Sequence, residues 1–327
     1  MNVPVKIVTN GLKIPTIGLG TWQATSETEL ESALNTALEC GYRHIDTAYA
    51  YQNEEIIGRV LKKWFTSGKL KREEVFITTK LPIFGVHEDR VEMFMDRSLK
   101  NLGLKYVDLY LIHFPIGSNF VENGEVPLNQ LIPERTDHIE IWKKMEEQVD
   151  AGKAKFIGVS NFNERQIEKI WNNCRIKPAC QQIELQVFLQ QPKLVNYCHE
   201  KNIAVVAYSP LASPKYNNFM ADLGVEIKDL PNVFTNPIIR EVAEKHKKTN
   251  AQIALRYLID MGTIPIPKSV SPLRIRENFE VFDFSLDADD MKKLKNLDHG
   301  EPGRICDCKF LKRFEDHPEW PFPKSNQ

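Results

Sequence analysis

Short apolar runs alternate with helical patterns along most of the chain. Eight of these runs predict strands, because each is short, nearly continuous and followed by polar or turn-forming residues. They lie at residues 14–20, 42–45, 75–80, 107–113, 155–160, 180–185, 203–209 and 263–268. Several do not alternate between polar and apolar residues, which is typical of parallel strands covered on both faces.

Between these runs, apolar residues recur at the spacing of amphipathic helices. Clear examples are residues 27–39, 53–64, 89–102, 139–150 and 164–171. Eight strand–helix units favour a closed parallel barrel ringed by helices, a (β/α)8 TIM barrel. An open doubly wound sheet is the alternative.

Other segments lie outside this repeat. Asn10-Gly11, between two short apolar runs, predicts a β-hairpin that covers the lower end of the barrel. Residues 116–136 and 210–236 are long connections that follow strands, so we expect them to shape a pocket on the carboxyl-terminal face. We interpret residues 1–327 as one barrel domain whose residues 298–327 form a tail over that pocket.

Composition and charge limit the classes of protein to which the chain can belong. Apolar residues make up 42% and charged residues 27% of the 327 positions, and the formal net charge is −1. This balance indicates a globular protein without general attraction to nucleic acid or anionic membranes. No run has the length of a membrane span and the N-terminus lacks a signal-peptide core, so we predict a cytoplasmic protein. Most of the six cysteines are interpreted as reduced core thiols. Cys306 and Cys308 form a C-x-C pair that is only a weak zinc motif, so we interpret them as ordinary thiols, with redox sensitivity as the alternative.

Polar residues stand where successive strands end. Asp46 follows the second predicted strand, Lys80 ends the third, His113 ends the fourth, and Tyr51 lies just beyond Asp46. Each alone has an ordinary structural explanation, but parallel strands bring all four to one edge. We call these residues the strand-end quartet. Tyr49, although near, is not part of it.

The residue types of the quartet suggest acid–base chemistry. They make a poor site for a divalent metal, and no Ser or Cys nucleophile has a recognisable motif, so we predict no metal. A lysine at about 4 Å supplies the roughly 4 kcal/mol that would lower the pKa of a tyrosine by about three units. Tyr51 would then donate a proton, Asp46 would hold Lys80, and His113 would hydrogen-bond the reacting oxygen.

Protonation of an oxygen suggests carbonyl reduction, which needs a hydride donor. Gly18-Leu19-Gly20 is not followed by the rest of a dinucleotide fingerprint, so any cofactor is held in another way. Residues 266–278 (IPKSVSPLRIREN) place Lys268 and Arg274 at the start of a helix with Ser271 as N-cap. Such a place suits a phosphate monoester. A plain capped helix with surface cations explains the pattern equally well.

Several motifs in a fixed order resemble the aldo-keto reductase family over nearly the whole chain. They are GYRHIDTAYAYQNE (41–54), the lysine of FITTK (76–80), LIHFP (111–115), GVSNFN (158–163), QQIE (181–184), AYSPL (207–211) and IPKSVSPLRIREN (266–278). The resemblance implies a (β/α)8 barrel that uses NADPH to reduce aldehydes and ketones. His113 implies carbonyl rather than double-bond reduction.

The resemblance also implies roles for individual residues. It makes Tyr51 the general acid, with Asp46, Lys80 and His113 as partners. Ser160, Asn161 and Gln182 would bind the nicotinamide carboxamide, and Tyr208 would stack on the ring. Lys268, Ser269, Arg274 and Asn278 would take the adenosine 2′-phosphate and adenine. Further cofactor contacts would come from Thr21, Trp22, Ser209, Leu211, Ser213, Val270 and Glu277.

The expected substrate is a small-molecule carbonyl compound, bound by a monomer without a nucleic-acid or membrane partner. Its pocket would include Trp22, Ala50, Tyr51, His113 and Phe114. Pro82 stands where family members often carry tryptophan, and residues 186–188 (QVF) replace the common His-Pro-Tyr, so bulky carbonyls such as ketosteroids are candidates.

Two other departures concern the cofactor. Lys215 stands where an acidic residue is usual and Gln23 where lysine is common, which predicts a cofactor clasp without its salt bridge. The alternative function is a non-catalytic family member, either a lens-type structural protein or a channel-associated subunit.

Overall fold

A computed structural model describes residues 3–8, 11–122, 126–127, 130–213, 216–224, 229 and 231–323. The chain opens with two antiparallel strands, β1 (Val5–Ile7) and β2 (Lys13–Pro15). Val8, Leu12 and Ile14 are buried against the lower parts of the later strands. The predicted hairpin and its position are therefore confirmed, although Asn10 of its turn lies outside the described residues.

Eight parallel strands follow in a single sheet, in sequence order from one edge to the other. They are β3 (Leu19–Gly20), β4 (His44–Asp46), β5 (Phe76–Leu81), β6 (Val107–Ile112), β7 (Ala154–Ser160), β8 (Cys180–Glu184), β9 (Ala204–Tyr208) and β10 (Ile264–Pro265). All eight predicted strands are present. Buried apolar residues cover both faces of the sheet, which explains the runs without alternation.

The sheet closes on itself. Gly18 N donates to Pro265 O at 3.1 Å and Gly20 N donates to Pro267 O at 3.1 Å, and Gly20 pairs with Lys268. A Cβ on residue 20 would lie 2.6 Å from Ile266 O, so this seam needs glycine. The closed barrel is confirmed, and the open sheet is excluded.

Eleven helices lie among the described residues, most of them in the connections between strands. They are α1 (Glu27–Cys40), α2 (Glu54–Thr66), α3 (Val91–Leu102), α4 (His138–Asp150), α5 (Glu164–Asn173), α6 (Pro192–Glu200), α7 (Tyr216–Asp222), α8 (Pro237–His246), α9 (Asn250–Asp260), α10 (Pro272–Phe279) and α11 (Ala288–Lys295). The five helices predicted explicitly begin and end within two residues of the observed bounds. In the part of the chain that the structure describes, none of these helices has the length and apolarity needed to cross a membrane.

The first predicted barrel strand was too long. Residues 14–20 read as one apolar run, but the chain bends at residues 16 and 17. Thr16 donates from both its backbone N and its Oγ1 to Pro4 O, at 3.0 and 3.1 Å. The hairpin therefore takes the first part of the run, and only Leu19 and Gly20 join the barrel.

Candidate active site

The carboxyl-terminal ends of the barrel strands form one rim, and this rim positions Asp46 and Lys80. Asp46 ends β4 and Lys80 lies in the neighbouring β5, with side chains that are 2% and 0% exposed. Lys80 Nζ lies 2.6 Å from Asp46 Oδ1 and donates to Thr47 O at 2.8 Å. The strand ends thus hold a buried ammonium against a buried carboxylate.

Tyr51 and His113 complete the quartet at the same rim. Tyr51 closes a 3₁₀ helix (Tyr49–Tyr51), and its hydroxyl lies 3.5 Å from Lys80 Nζ. The ring of His113, which directly follows β6, stands edge-on to the Tyr51 ring with centroids 5.6 Å apart. Tyr49 instead packs against Phe84 and Phe94, at 6.2 and 5.1 Å. The structure brings the four predicted residues together and leaves Tyr49 out.

In the Asp46–Lys80 pair, burial and the neighbouring charge shift each pKa in opposite directions. Burial raises the pKa of Asp46, while the Lys80 ammonium and the Gln182 amide, whose Nε2 lies 2.7 Å from Asp46 Oδ2, lower it. Burial lowers the pKa of Lys80, and Asp46 raises it. For His113, burial and then Lys80 lower the pKa to about 3, so its imidazole is neutral near pH 7.

The pKa of Tyr51 departs from the prediction. Loss of contact with water raises this pKa well above the ordinary value, and the Asp46 carboxylate raises it further. The expectation that Lys80 lowers it towards neutrality was therefore wrong, because it omitted burial and the negative charge beside the lysine. Tyr51 carries its proton throughout the neutral range.

A hydrogen-bonded group borders the quartet on the side of β7 to β9. Ser160 Oγ donates to Gln182 O at 2.9 Å, and Asn161 Nδ2 donates to His113 O at 2.9 Å and to Ser160 Oγ at 3.2 Å. Tyr208 OH donates to Asn161 Oδ1 at 2.8 Å. Asn161 has the left-handed backbone angle φ of 64°. These four predicted cofactor residues therefore lie together beside His113.

The predicted phosphate end lies at the seam of the barrel. Lys268 follows β10, and both Lys268 and Arg274 are exposed near the start of α10, while Asn278 is buried within that helix. Ser269 Oγ accepts from Ser271 N at 3.1 Å. Ser271 is the N-cap as predicted, but within the described chain its side chain makes no capping hydrogen bond. Val270 and Glu277 are half-buried beside this group.

The remaining predicted contacts surround the rim. Thr21 Oγ1 donates to Asp46 O at 2.9 Å, and Ser213 Oγ donates to Ser209 Oγ at 2.7 Å. Leu211 is half-buried, and Gln23 is exposed with φ of 60°. Lys215 lies outside the described residues, so the clasp without its salt bridge stays a prediction.

Aromatic side chains wall the predicted pocket. The Trp22 ring lies 5.5 Å from that of Phe219 and 6.4 Å from that of Tyr216, both on α7. Ala50 is exposed on the turn before Tyr51. Phe114 is 6% exposed. Its ring lies 5.9 Å from Trp320 and 6.3 Å from Phe322, so these two tail residues pack beside the residue that follows His113.

Sequence reasoning missed Glu184, the last residue of β8. Its buried carboxylate accepts from Ile305 N at 2.9 Å and from Cys306 N at 2.7 Å, which fixes the start of the tail to the rim. Cys306 Sγ in turn lies 3.7 Å from Ser209 Oγ. The sequence could have indicated Glu184, since it is an acidic residue at a strand end, as Asp46 is.

The sequence and the fold both resemble those of known proteins. The model of the Aldo/keto reductase family matches residues 16–299. Aldo-keto reductase family 1 member C13 of Mus musculus is 40% identical over 321 residues, which cover 96% of this chain and 95% of the relative. Estradiol 17 beta-dehydrogenase 5 of Mus musculus is 38% identical over 328 residues and 96% of each chain. A Bombyx mori aldo-keto reductase, solved in complex with NADP, superposes with a TM-score of 0.86 at 36% identity, covering 98% of this chain and all of the other.

Proposed function

Because the chain belongs to the Aldo/keto reductase family, an oxidoreductase family that uses NADP(H), we propose that it reduces aldehydes and ketones to alcohols with Tyr51 as proton donor. The observation that carries this proposal is the quartet, in which the Tyr51 hydroxyl lies 3.5 Å from the Nζ of Lys80, and Lys80 in turn is held by the buried Asp46. A phenol that stays protonated at neutral pH is suited to protonate an oxygen that becomes strongly basic during reduction.

The residues at the seam fit the phosphate end of NADPH. Lys268 and Arg274 put two exposed cations near the start of α10, where backbone N–H groups and the helix dipole favour an anion. Ser160, Asn161 and Gln182 carry the amide and hydroxyl groups that pair with a carboxamide, and they lie beside His113. An incoming carboxamide would compete with the bond that Asn161 Nδ2 makes to Ser160 Oγ.

When bound, NADPH supplies the hydride that reduces the carbonyl carbon. The neutral imidazole of His113 orients the carbonyl oxygen by a hydrogen bond, and Tyr51 OH gives its proton to that oxygen. Lys80, held by Asp46 and Thr47 O, places a positive charge beside the phenolate that Tyr51 becomes. Asp46 Oδ2 accepts in turn from Gln182 Nε2 at 2.7 Å, so the Asp46–Lys80 pair is positioned before substrate arrives.

For the substrate, we propose a range that extends to bulky ketones such as ketosteroids. Pro82 opens a short 3₁₀ helix (Ile83–Gly85) just after β5 and supplies no aromatic ring there. The name of one relative, Estradiol 17 beta-dehydrogenase 5, denotes a steroid substrate for that protein and supports the proposal. A monomeric state and a cytoplasmic location stay predictions.

A direct assay tests the proposed function. Purified protein is mixed with NADPH and a panel that runs from short and aromatic aldehydes to steroid ketones, and loss of absorbance at the nicotinamide band is followed. We expect turnover of aromatic aldehydes and of at least one steroid ketone. A flat absorbance across the whole panel would overturn the reductase proposal, and turnover of small aldehydes alone would overturn its extension to bulky ketones.

Arg274→Ala is expected to weaken NADPH binding by about 10–100-fold and NADH binding by less than about threefold, since only NADPH carries the 2′-phosphate that a guanidinium binds in bidentate fashion. Titration of each cofactor by protein fluorescence measures both constants. Arg276→Ala is the control, because this exposed arginine of the same helix lies against Cys40 and Glu39. Equal losses for the two cofactors in Arg274→Ala would contradict the assignment.

A further inference from the structure

The tail from residue 298 crosses the rim and is fixed at both ends. At its start, Glu184 accepts the Ile305 and Cys306 amides. Near this point the Arg304 guanidinium lies 4.6 Å above the ring of Phe322, so the start and the end of the tail also touch each other. Residues 304 and 322 of the tail therefore lie close together. The far end of the tail is also held by a separate set of contacts.

The residue at the centre of these contacts is Glu319, which is 7% exposed and lies against α5. Gln166 Nε2 donates to Glu319 O at 2.8 Å and to Glu319 Oε2 at 3.2 Å. Arg165 Nη2 donates to Glu319 Oε2 at 2.7 Å and to Pro318 O at 3.1 Å. Lys169 Nζ lies farther away, at 3.5 Å from Oε1. Because the side chains of Arg165 and Lys169 are 57% and 35% exposed, the fully buried Gln166 is the more specific partner.

Gln166 uses both ends of its amide. Its Oε1 accepts from Asn163 N at 2.9 Å, and Asn163 Oδ1 accepts from Gln166 N at 3.0 Å, which together form the capping box that starts α5. Its Nε2 is directed to the tail. This helix begins just after Ser160 and Asn161, so the same side chain joins the tail to the segment that borders the quartet.

The anchored end of the tail carries the aromatic wall. Trp320 directly follows Glu319, and Trp320 and Phe322 both pack on Phe114, beside His113. Their rings stand at steep angles to one another, 64° between Phe114 and Trp320 and 86° between Trp320 and Phe322, which is the arrangement of a packed cluster. Release of Glu319 would therefore loosen the wall next to the proposed reacting centre.

We propose that Gln166 and Glu319 form a latch that holds the end of the tail against Phe114 and thereby limits the size of the carbonyl compound that the site accepts. The inference rests on the proposed reductase function and makes Gln166 and Glu319 positioning residues. They touch neither substrate nor the quartet, and they act through Trp320 and Phe322.

Three variants test the latch. Gln166→Glu keeps the oxygen that accepts from Asn163 N, and glutamate is a usual partner in a capping box, but it removes the donor to Glu319. Glu319→Gln keeps the bond from Gln166 to its backbone oxygen and loses the charge that Arg165 pairs with. The double variant Gln166→Glu with Glu319→Gln restores a side-chain donor facing an acceptor. Asn172→Asp is the control, since it makes the same amide-to-acid change on α5 at an exposed residue that bonds Glu168.

Two measurements are made on each variant: amide hydrogen exchange of residues 304–322, and kcat/KM for an aromatic aldehyde and for a bulky ketone with NADPH. In Gln166→Glu we expect faster exchange in the tail and a bulky-to-small kcat/KM ratio raised by at least about fivefold, as expected when a wall made of packed side chains is released. The double variant should recover part of both changes, and Asn172→Asp should show neither.

The outcomes distinguish failure of the latch proposal from failure of the proposed reductase function on which it rests. If the unaltered protein reduces no carbonyl compound, the reductase proposal fails. If it reduces the aldehyde and tail exchange in Gln166→Glu is unchanged, or if exchange rises while the ratio stays within about twofold of the unaltered protein, the latch is overturned.

Discussion

Replacing Tyr51 by Phe is expected to lower kcat for carbonyl reduction by about 10²–10⁴-fold, the usual contribution of a positioned general acid, while NADPH binds as before. The substitution removes only the hydroxyl that lies 3.5 Å from Lys80 Nζ and keeps the ring that packs edge-on to His113. Initial rates at saturating substrate measure kcat, and fluorescence titration measures NADPH binding.

Tyr49→Phe is the matched control for this experiment. Tyr49 lies two residues away in the same 3₁₀ helix, and its ring packs on Phe84 and Phe94 instead of the quartet. This variant should keep kcat within about twofold. A Tyr51→Phe protein that retained comparable turnover would remove Tyr51 from the role of acid, and equal losses in both variants would indicate damage to the turn.

Lys80→Met is expected to lower both activity and stability. The change leaves the Asp46 carboxylate buried with one fewer donor, and breaking such a buried pair from one side lowers the free energy of unfolding by about 3–5 kcal/mol. Urea unfolding followed by circular dichroism measures this free energy, and NADPH oxidation measures the loss of reduction.

Lys80→Met combined with Asp46→Asn separates the two effects. Without the carboxylate no uncompensated charge is buried, so we expect most of the lost stability to return. Activity should not return, because no ammonium then faces the phenolate of Tyr51. If activity recovered together with stability, Lys80 would have a structural role only.

The barrel and the quartet could be predicted from the sequence for one physical reason. Parallel strands covered on both faces appear as short apolar runs, and their carboxyl ends share an edge, so Asp46, Lys80 and His113 are neighbours despite their separation along the chain. The same rule applied to Glu184 would have placed another carboxylate at this rim. The partner of Glu184 could not be predicted from the sequence, because Ile305 lies 121 residues farther along the chain and contributes only a backbone amide.

Other features depend on information that a local pattern does not contain. The run at residues 14–20 has one hydrophobic pattern but serves two sheets, and only the bonds from Thr16 to Pro4 O show where it bends. Similarly, the sequence correctly predicted that Tyr51 and Lys80 are neighbours, but it predicted the wrong direction for the shift in the pKa of Tyr51. That direction depends on how much water the fold removes from the hydroxyl.

The seam between Gly20 and Lys268 also bears on how the protein is made. All four residues of the quartet have been synthesised once the chain reaches residue 113, but β10 follows about 150 residues later, which is roughly 8–30 s at ribosomal rates of about 5–20 residues per second. During that interval β3 and the most recently added strand are unpaired edges, and such edges are templates for aggregation. Lys268, a residue proposed to bind the phosphate of NADPH, takes its place only when the seam closes, so on that proposal NADPH would not stabilise the unfinished barrel. The nascent chain should therefore depend on chaperones until its last barrel strand has emerged.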